Sequence, residues 1–355
     1  MSKNDRETWI IYGAYGYTGK LVVEEAVAQG KRPVLAGGNE SKLKPFAESY
    51  GLSYRVFKVQ QAAEYLEGIG TMINCAGPFD ATSEYMMDAC IKNGVNYFDI
   101  SGEIAVFQAA YARTDEAKKA GVILCPGVGF DIVPTDCLAS LLKRELPDAT
   151  HLELAFDFGT LPSMGTTRTG IQAIGDGSFI RENDQIKDVG LGYDIHKIQF
   201  AAGPKWSVCV PWADVFTTQV SVGIPNVIVF GAMPWIMCWS MKLMNPLKNL
   251  LARPRGQKLL IGMAGKVLSD GPDAEARANA PTGFWGRAKA PDGRQCTATI
   301  TGPSVYALTA DLSTATALLS ETWEKDGGYF TASMLGGADF FSNRDGYSVV
   351  VSPVT

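Results

Sequence analysis

The chain has 355 residues, 46% of them hydrophobic and 19% charged, with 32 Lys and Arg against 37 Asp and Glu for a formal charge of −5. That composition excludes a disordered chain, and the net acidity without an aromatic-basic motif argues against a nucleic-acid binder. Seven cysteines, an odd number with no Cys-x-x-Cys pair, argue against a disulfide framework and a zinc ribbon and suit a reducing compartment. The polar start MSKNDRETW carries no signal-peptide pattern, so a cytoplasmic location is expected.

In chain order, TWIIYG reads as a strand and Thr18 to Gln29 as an amphipathic helix. RPVLAGG is a second strand, Ser41 to Ser49 a helix, and SYRVFKV a third strand. TMINCAG, a helix from Ser83 to Lys92, VNYFDIS, a helix from Ile104 to Lys119, and GVILCPG continue the alternation. Six short apolar strands separated by helical crossovers predict an α/β, Rossmann-type, doubly wound parallel sheet over 1–133. The rhythm then changes. A helix over Thr135 to Glu145 precedes HLELAFDFG, which alternates like an antiparallel strand with one wet face. Met164 to Ile174 is helical in pattern, while KIQFAAG and WADVFTTQVSV are β-like. The stretch from Ala298 to Glu324 reads as strand, loop and helix, the helix stopping at Gly327-Gly328. The expectation is an inserted α+β substrate or dimerisation domain over 134–300, and a C-terminal segment, 301–355, that packs back on the nucleotide-binding domain.

The strongest chemical signal is Gly13-Ala14-Tyr15-Gly16-Tyr17-Thr18-Gly19, placed between the first strand and the first helix. Glycines at this spacing allow a tight turn, close approach of backbone to a pyrophosphate, and close packing of helix on strand. The N–H groups of the helix start then face the phosphates. After the second strand comes Gly38-Asn39-Glu40-Ser41-Lys42. Glu40 falls one or two positions late for a ribose 2′-hydroxyl, whereas Asn39, Ser41 and Lys42, beside Gly38 in the same cofactor-binding turn, suit a 2′-phosphate. NADP(H) is therefore favoured and NAD(H) stays open. Asn74-Cys75-Ala76-Gly77-Pro78-Phe79 ends the fourth strand, and Ser101-Gly102-Glu103 ends the fifth, both at the carboxyl edge where ribose and nicotinamide lie in such folds. Asp131 follows the sixth strand just beyond two glycines and fits an acid, a helix cap or a hinge carboxylate.

The blocks GAYGYTG, NCAGPF, YFDISGE and PGVGFDIVPTD, in this order, resemble the saccharopine dehydrogenase-like reductases, in particular the trans-acting enoyl reductases and their lipid-associated relatives. SMGTTRTG, WADVFTTQVSVGIPN, VYALTAD and MLGGADF are similar to later blocks of that family. The resemblance implies an NADP-binding Rossmann domain, an α+β domain on the substrate side, and reduction of a C=C bond in an acyl substrate. Such proteins often have Arg where this chain has Gly38. For a proton donor the candidates are Tyr306, expected in the loop before the last helix, and Asp131; solvent is a third source.

Other chemistries fit less well. Tyr-x-x-x-Lys occurs at Tyr54/Lys58 and Tyr193/Lys197, in strand or loop contexts where it cannot serve a nicotinamide. His151 and His196 form no metal-ligand pattern, and a Gly-x-Ser-x-Gly elbow is absent. A saccharopine-type C–N dehydrogenase needs cations for substrate carboxylates, for which Arg168 and Arg181 are the candidates. A non-catalytic, cofactor-binding scaffold at a lipid surface is the remaining alternative.

One segment stands apart. Val215 to Ser269 holds no acidic residue and six basic ones, Lys242, Lys248, Arg253, Arg255, Lys258 and Lys266, which leaves −11 on the rest of the chain. Val215 to Met241 is uncharged for 27 residues, long enough to cross a bilayer, but carries Thr217, Thr218, Gln219, Pro225, Asn226 and Pro234. A buried or homodimer-interface element, a membrane helix, and a surface at 233–258 that meets an acyl carrier or the membrane are all open readings. With the last, the protein is cytoplasmic and peripheral at the membrane.

Overall fold

The computed structural model describes residues 8–159, 170–171, 173–175, 177–265, 280–324, 326–342 and 344–355. It divides into two compact units, 1–133 with 306–337, and 134–305 with 338–355.

In the first unit, β1 (Trp9–Tyr12), β2 (Val34–Gly37), β3 (Tyr54–Val56), β4 (Thr71–Asn74), β5 (Asn96–Asp99) and β6 (Ile123–Cys125) alternate with helices α1 (Tyr17–Ala28), α2 (Glu40–Tyr50), α3 (Phe79–Asn93), α4 (Ile104–Ala112) and α5 (Thr114–Ala120). With β15 (Gly328–Tyr329) they form one parallel sheet in the order β15-β6-β5-β4-β1-β2-β3. Every residue of β1, β2, β4, β5 and β6 is buried, as expected of a parallel sheet covered on both faces. The strand order reverses between β1 and β4, and folds of this kind bind ligands at that switch point. Register aligns Tyr12 with Asn74 and Asn74 with Asp99, so the strand ends that carry the candidate residues lie side by side.

The helix Val305–Leu319 enters this unit from the far end of the chain. Ser313 donates to the Val128 carbonyl at 3.2 Å, and Gln29 donates to Thr314 at 3.0 Å. Beyond the helix, Glu321 receives both the Trp9 indole N–H at 2.8 Å and the Lys31 ammonium at 2.6 Å.

In the second unit, α6 (Val133–Glu145) precedes a nine-stranded sheet. Its strands are β7 (His151–Asp157), β8 (Phe179–Glu182), β9 (Gln185–Asp188), β10 (Ile195–Phe200), β11 (Gly203–Cys209), β12 (Asn226–Ala232), β13 (Thr282–Lys289), β14 (Gln295–Gly302) and β16 (Ser348–Val351). The main path is β10-β11-β12-β7-β13-β14-β16, with the β8–β9 hairpin attached to β12. Asn183 and Asp184 turn that hairpin at φ 50 and 65, the left-handed backbone of a two-residue hairpin turn. Ala155, Ile180, Ile198, Phe200, Cys209, Phe230 and Trp285 build the core on one face.

Several expectations are corrected. HLELAFDFG is a central strand, parallel to β12 and antiparallel to β13, with Leu152, Leu154, Ala155 and Phe156 all buried rather than half wet. WADVFTTQVSV contains a helix, Asp214–Ser221. Its β-branched residues suggest a strand, but burial of Val215, Thr217 and Thr218 and a 2.6 Å bond from Thr218 Oγ1 to the Asp214 carbonyl favour the helix. The helix expected from Ile104 to Lys119 breaks at Arg113, whose guanidinium turns back on the Ala109 carbonyl. The helix expected to reach Gly327 ends at Leu319. The 301–355 segment does not return as one piece: 338–355 joins the second unit, because the alternating β16 pairs along the free edge of β14. Most of the Met164 to Ile174 stretch, including Arg168, lies outside the described residues.

Candidate active site and cofactor cradle

The loop after β1 is tied down first by backbone. Gly13 and Ala14 donate to the Ala36 carbonyl at 2.9 and 3.2 Å, and Gly16 donates to the Gly13 carbonyl at 2.9 Å. Gly13 has φ +77, and a methyl there would sit 2.9 Å from the Ala76 nitrogen. A methyl on Gly19 would collide with the Gly13 carbonyl oxygen. The glycines thus let α1 start hard against the strand. Its Gly16 N-cap has no side-chain cap and its first turn no acid, which leaves an electropositive helix start for an anion. This cradle fits a pyrophosphate. Tyr15 lies over Gly37, whose missing side chain makes room for the ring.

After β2, the four residues expected in the cofactor-binding turn are exposed together, and Asn39 has a structural task as well. Its side-chain oxygen caps α2, accepting from the Lys42 backbone at 3.3 Å and from the Ser41 hydroxyl at 2.7 Å. Lys42 is exposed in the first turn of α2.

The ends of β4, β5 and β6 are joined by a buried polar chain that the sequence did not single out. Asn74 receives the Ala76 N–H at 3.1 Å and donates to the Tyr97 hydroxyl at 3.4 Å. Tyr97 donates to Asp99 Oδ2 at 2.7 Å. Asp99 Oδ1 accepts from the Ser101 N–H at 2.9 Å, the Ser101 hydroxyl at 2.6 Å and the Gly127 N–H at 2.9 Å. Burial leaves the Asp99 carboxyl raised, with these donors opposing the shift in part; burial also pushes Tyr97 well up and the Cys75 thiol up to about 12, the last with help from the Asp99 charge. The network fixes Ser101 and Gly102, and on the β4 side Thr82 holds the Ala76 carbonyl at 2.9 Å, so the 75–79 turn is held at both ends.

Asp131 stands over this layer. Its Cβ and carboxyl carbon are each 3.3 Å from where a Gly102 methyl would lie, so Gly102 is small because Asp131 packs on it. Burial, then Glu103 and Asp99 nearby, push Asp131 up to about 7. Glu103 is itself raised, chiefly by burial, and accepts from the Gly102 N–H at 3.0 Å. Tyr306 lies in the first turn of the 305–319 helix, not in a loop before it, and meets Tyr17 edge to face with ring centres 4.7 Å apart. Three residues on, Thr309 accepts the Phe130 N–H at 3.2 Å, next to Asp131. One helix therefore reaches both the glycine-rich loop and the Asp131 loop, a convergence of residues nearly 180 positions apart. Among the described residues no cluster of His, Cys, Asp and Glu could hold a metal ion.

Residues 9–125 match the family model described as the saccharopine dehydrogenase NADP binding domain. The match takes in the first six strands and the helices between them, and not the second unit. The Caenorhabditis elegans "Lipid droplet localized protein" is 31% identical over 176 residues, covering 43% of this chain and 40% of that one. A human saccharopine dehydrogenase-like oxidoreductase is 27% identical over 204 residues, covering 49% and 47%. A trans-acting enoyl reductase of Mycobacterium leprae is 28% identical over 163 residues, covering 42% and 39%. Each match spans less than half of the relative. The apo saccharopine dehydrogenase (L-Glu forming) of Saccharomyces cerevisiae superposes with a TM-score of 0.66 at 11% identity, over 97% of this chain and 99% of that one, and shares its fold. All the predicted cofactor residues lie on the loops that follow β1, β2, β4 and β5 or in the first turn of the helix that such a loop opens. Sequence reading missed Tyr97, Asp99 and Thr309. Tyr97 and Asp99 lay within the YFDISGE block and Thr309 within VYALTAD, but nothing in those blocks gave the three a role of their own.

Proposed function

We propose that the chain is an NADP(H)-dependent oxidoreductase that reduces the carbon–carbon double bond of an apolar α,β-unsaturated acyl substrate. The observation that supports it most is Asp131, a carboxyl held up to about 7 at the carboxyl edge of the nucleotide-binding sheet. Gly13, Gly16 and Gly19 would hold the pyrophosphate, Asn39, Ser41 and Lys42 would face the ribose 2′ position, and the 75–79 and 101–102 turns would border the nicotinamide end. The cofactor, when bound, supplies a hydride. Asp131 keeps a proton on its carboxyl near neutral pH and can give it to the substrate carbon next to the carbonyl, while Tyr306 offers a second hydroxyl on the same unit.

A C–N dehydrogenase acting on amino dicarboxylates is less well supported. Arg181, its described cation, is 6% exposed, and its guanidinium is spent on the Val215 and Asp184 carbonyls at 2.6 and 2.7 Å. The ionisable groups named at the carboxyl edge, Asp99, Glu103 and Asp131, are acids, not the cations such substrates need. The names of the enoyl reductase and lipid-droplet relatives are in keeping with an apolar acyl substrate.

The test is loss of NADPH absorbance on adding either a medium-chain enoyl thioester or an α-keto acid with an amino-acid partner. Consumption with the thioester alone supports the reading. Consumption with the keto acid and amino acid alone overturns it in favour of C–N chemistry, and NADPH binding without consumption of either favours a scaffold.

A further inference from the structure

The uncharged run that the sequence left open is three elements: the 214–221 helix, β12, and a helix Trp235–Met244. Among the described residues no helix is long and apolar enough to cross a membrane, and ten residues of helix reach about 15 Å, half a bilayer core. The 235–244 helix is instead seated sideways on the second unit. Asn245 accepts the Leu191 N–H at 2.8 Å, Lys248 pairs with Asp188 at 2.9 Å, and Gly190 and Gly192 are flush against Asn245 and the Lys242 backbone. Cys238 is the buried residue on its inner side.

The outer side is apolar. Ile236, Trp239 and Leu243 follow one another at i, i+3 and i+7, are 61, 41 and 77% exposed, and so form one helical stripe. Leu247 and Leu250 carry it on at the next i+4 and i+3, and Leu259 and Met263 add an i, i+4 pair on the helix Pro254–Ala264, which buries no residue of its own. Lys242, Arg253, Arg255 and Lys258 are exposed among them, with no acidic residue in the segment. The Lys242 ammonium sits 5.4 Å above the Trp239 ring, an apolar ring and a cation together at one level.

We propose that the 235–264 helices are a docking surface for an anionic lipid layer, lying in its interface with Trp239 and Leu243 inserted and Lys242, Arg253, Arg255 and Lys258 at the headgroups. Charge decides the occupant. A stripe of bulky apolar residues among Lys242, Arg253, Arg255 and Lys258, with the neighbouring Asp188 already paired to Lys248, is complementary to acidic headgroups over apolar chains.

The test uses the full chain sedimented with phosphatidylcholine vesicles, with and without phosphatidylserine. Wild type is expected to bind the phosphatidylserine vesicles at least about tenfold better, with binding falling as salt rises. Trp239→Asp with Leu243→Asp should abolish sedimentation, and Arg255→Glu with Lys258→Glu should remove the preference for phosphatidylserine while Trp239 still gives weak binding. All variants should keep the wild-type circular dichroism, since the changed side chains are exposed. Wild type that never sediments with phosphatidylserine vesicles overturns the proposal. So does light scattering that shows a wild-type dimer broken by Trp239→Asp, or binding of the face to an acidic acyl carrier protein in place of vesicles. The assay needs no turnover, so its failure leaves the reductase reading intact.

Discussion

Thr309, on the 305–319 helix, accepts the backbone N–H of Phe130 at 3.2 Å and so holds the loop that carries Asp131. The same Thr309 methyl lies 2.8 Å from where a side chain on Gly129 would begin, which makes the loop's approach to the helix as close as backbone allows. A residue far along the chain thus decides where a carboxyl at the nucleotide-binding edge stands. Thr309→Val keeps the shape but leaves a buried N–H without this acceptor. It should cost about 1–3 kcal/mol in denaturant unfolding and lower kcat more than it raises the Kd for NADPH. An unchanged kcat would show that the loop needs no such hold.

Asp131 should set a pH dependence of both stability and turnover. Its carboxyl keeps a proton in the fold up to about 7, against an ordinary value of 3.8 in the unfolded chain. The fold therefore binds more protons than the unfolded chain between those values, and stability falls as pH rises through that window. Asp131→Asn should flatten this slope and be more stable than wild type above about pH 7. As a proton donor, Asp131 also makes kcat fall as pH rises through about 7. The Asn variant should lose that limb and about 100-fold in kcat. A pH–rate profile and pH-dependent thermal unfolding read the two effects separately.

Gly19→Ala should weaken NADPH binding by more than about tenfold, because its methyl collides with the Gly13 carbonyl oxygen and must push α1 off the cradle. Fluorescence titration with NADPH measures it. Gly68→Ala, at a glycine with open space around it, is the control and should leave that affinity unchanged.

Asn39 and Lys42 should separate capping from cofactor choice. Asn39→Ala removes the α2 cap and should cost about 1 kcal/mol of stability. Lys42→Glu should raise the Kd for NADPH about tenfold and leave that for NADH nearly unchanged. Equal loss for both cofactors would remove Lys42 from the 2′-phosphate.

The nucleotide-binding half was legible because its determinants are local. Gly13, Gly16 and Gly19 sit within seven residues, and each fully buried strand announces itself as a short apolar run. The rhythm of strand and helix then leaves few topologies. The second sheet was less legible, since whether β7 is an edge or a centre depends on β12 and β13, far along the chain. The Asp214–Ser221 helix was hidden for the same reason: its β-branched residues favour a strand locally, and only burial against neighbours overrides them.

The −5 average hid its own partition, and the sequence alone already separated an acid-free, apolar and basic segment from an acidic body. Periodicity and composition suffice for that, because charge and hydropathy are properties of the chain. Which side of the 235–264 segment faces outward was decided only by tertiary structure, through Cys238, Asn245 and the 188–192 loop that pin its inner side. The preference for one proposed donor likewise rests on the fold. Asp131 was one of three open readings until Gly102, Glu103 and the hold of Thr309 on Phe130 gave its carboxyl an environment, and proton affinity is a property of that environment.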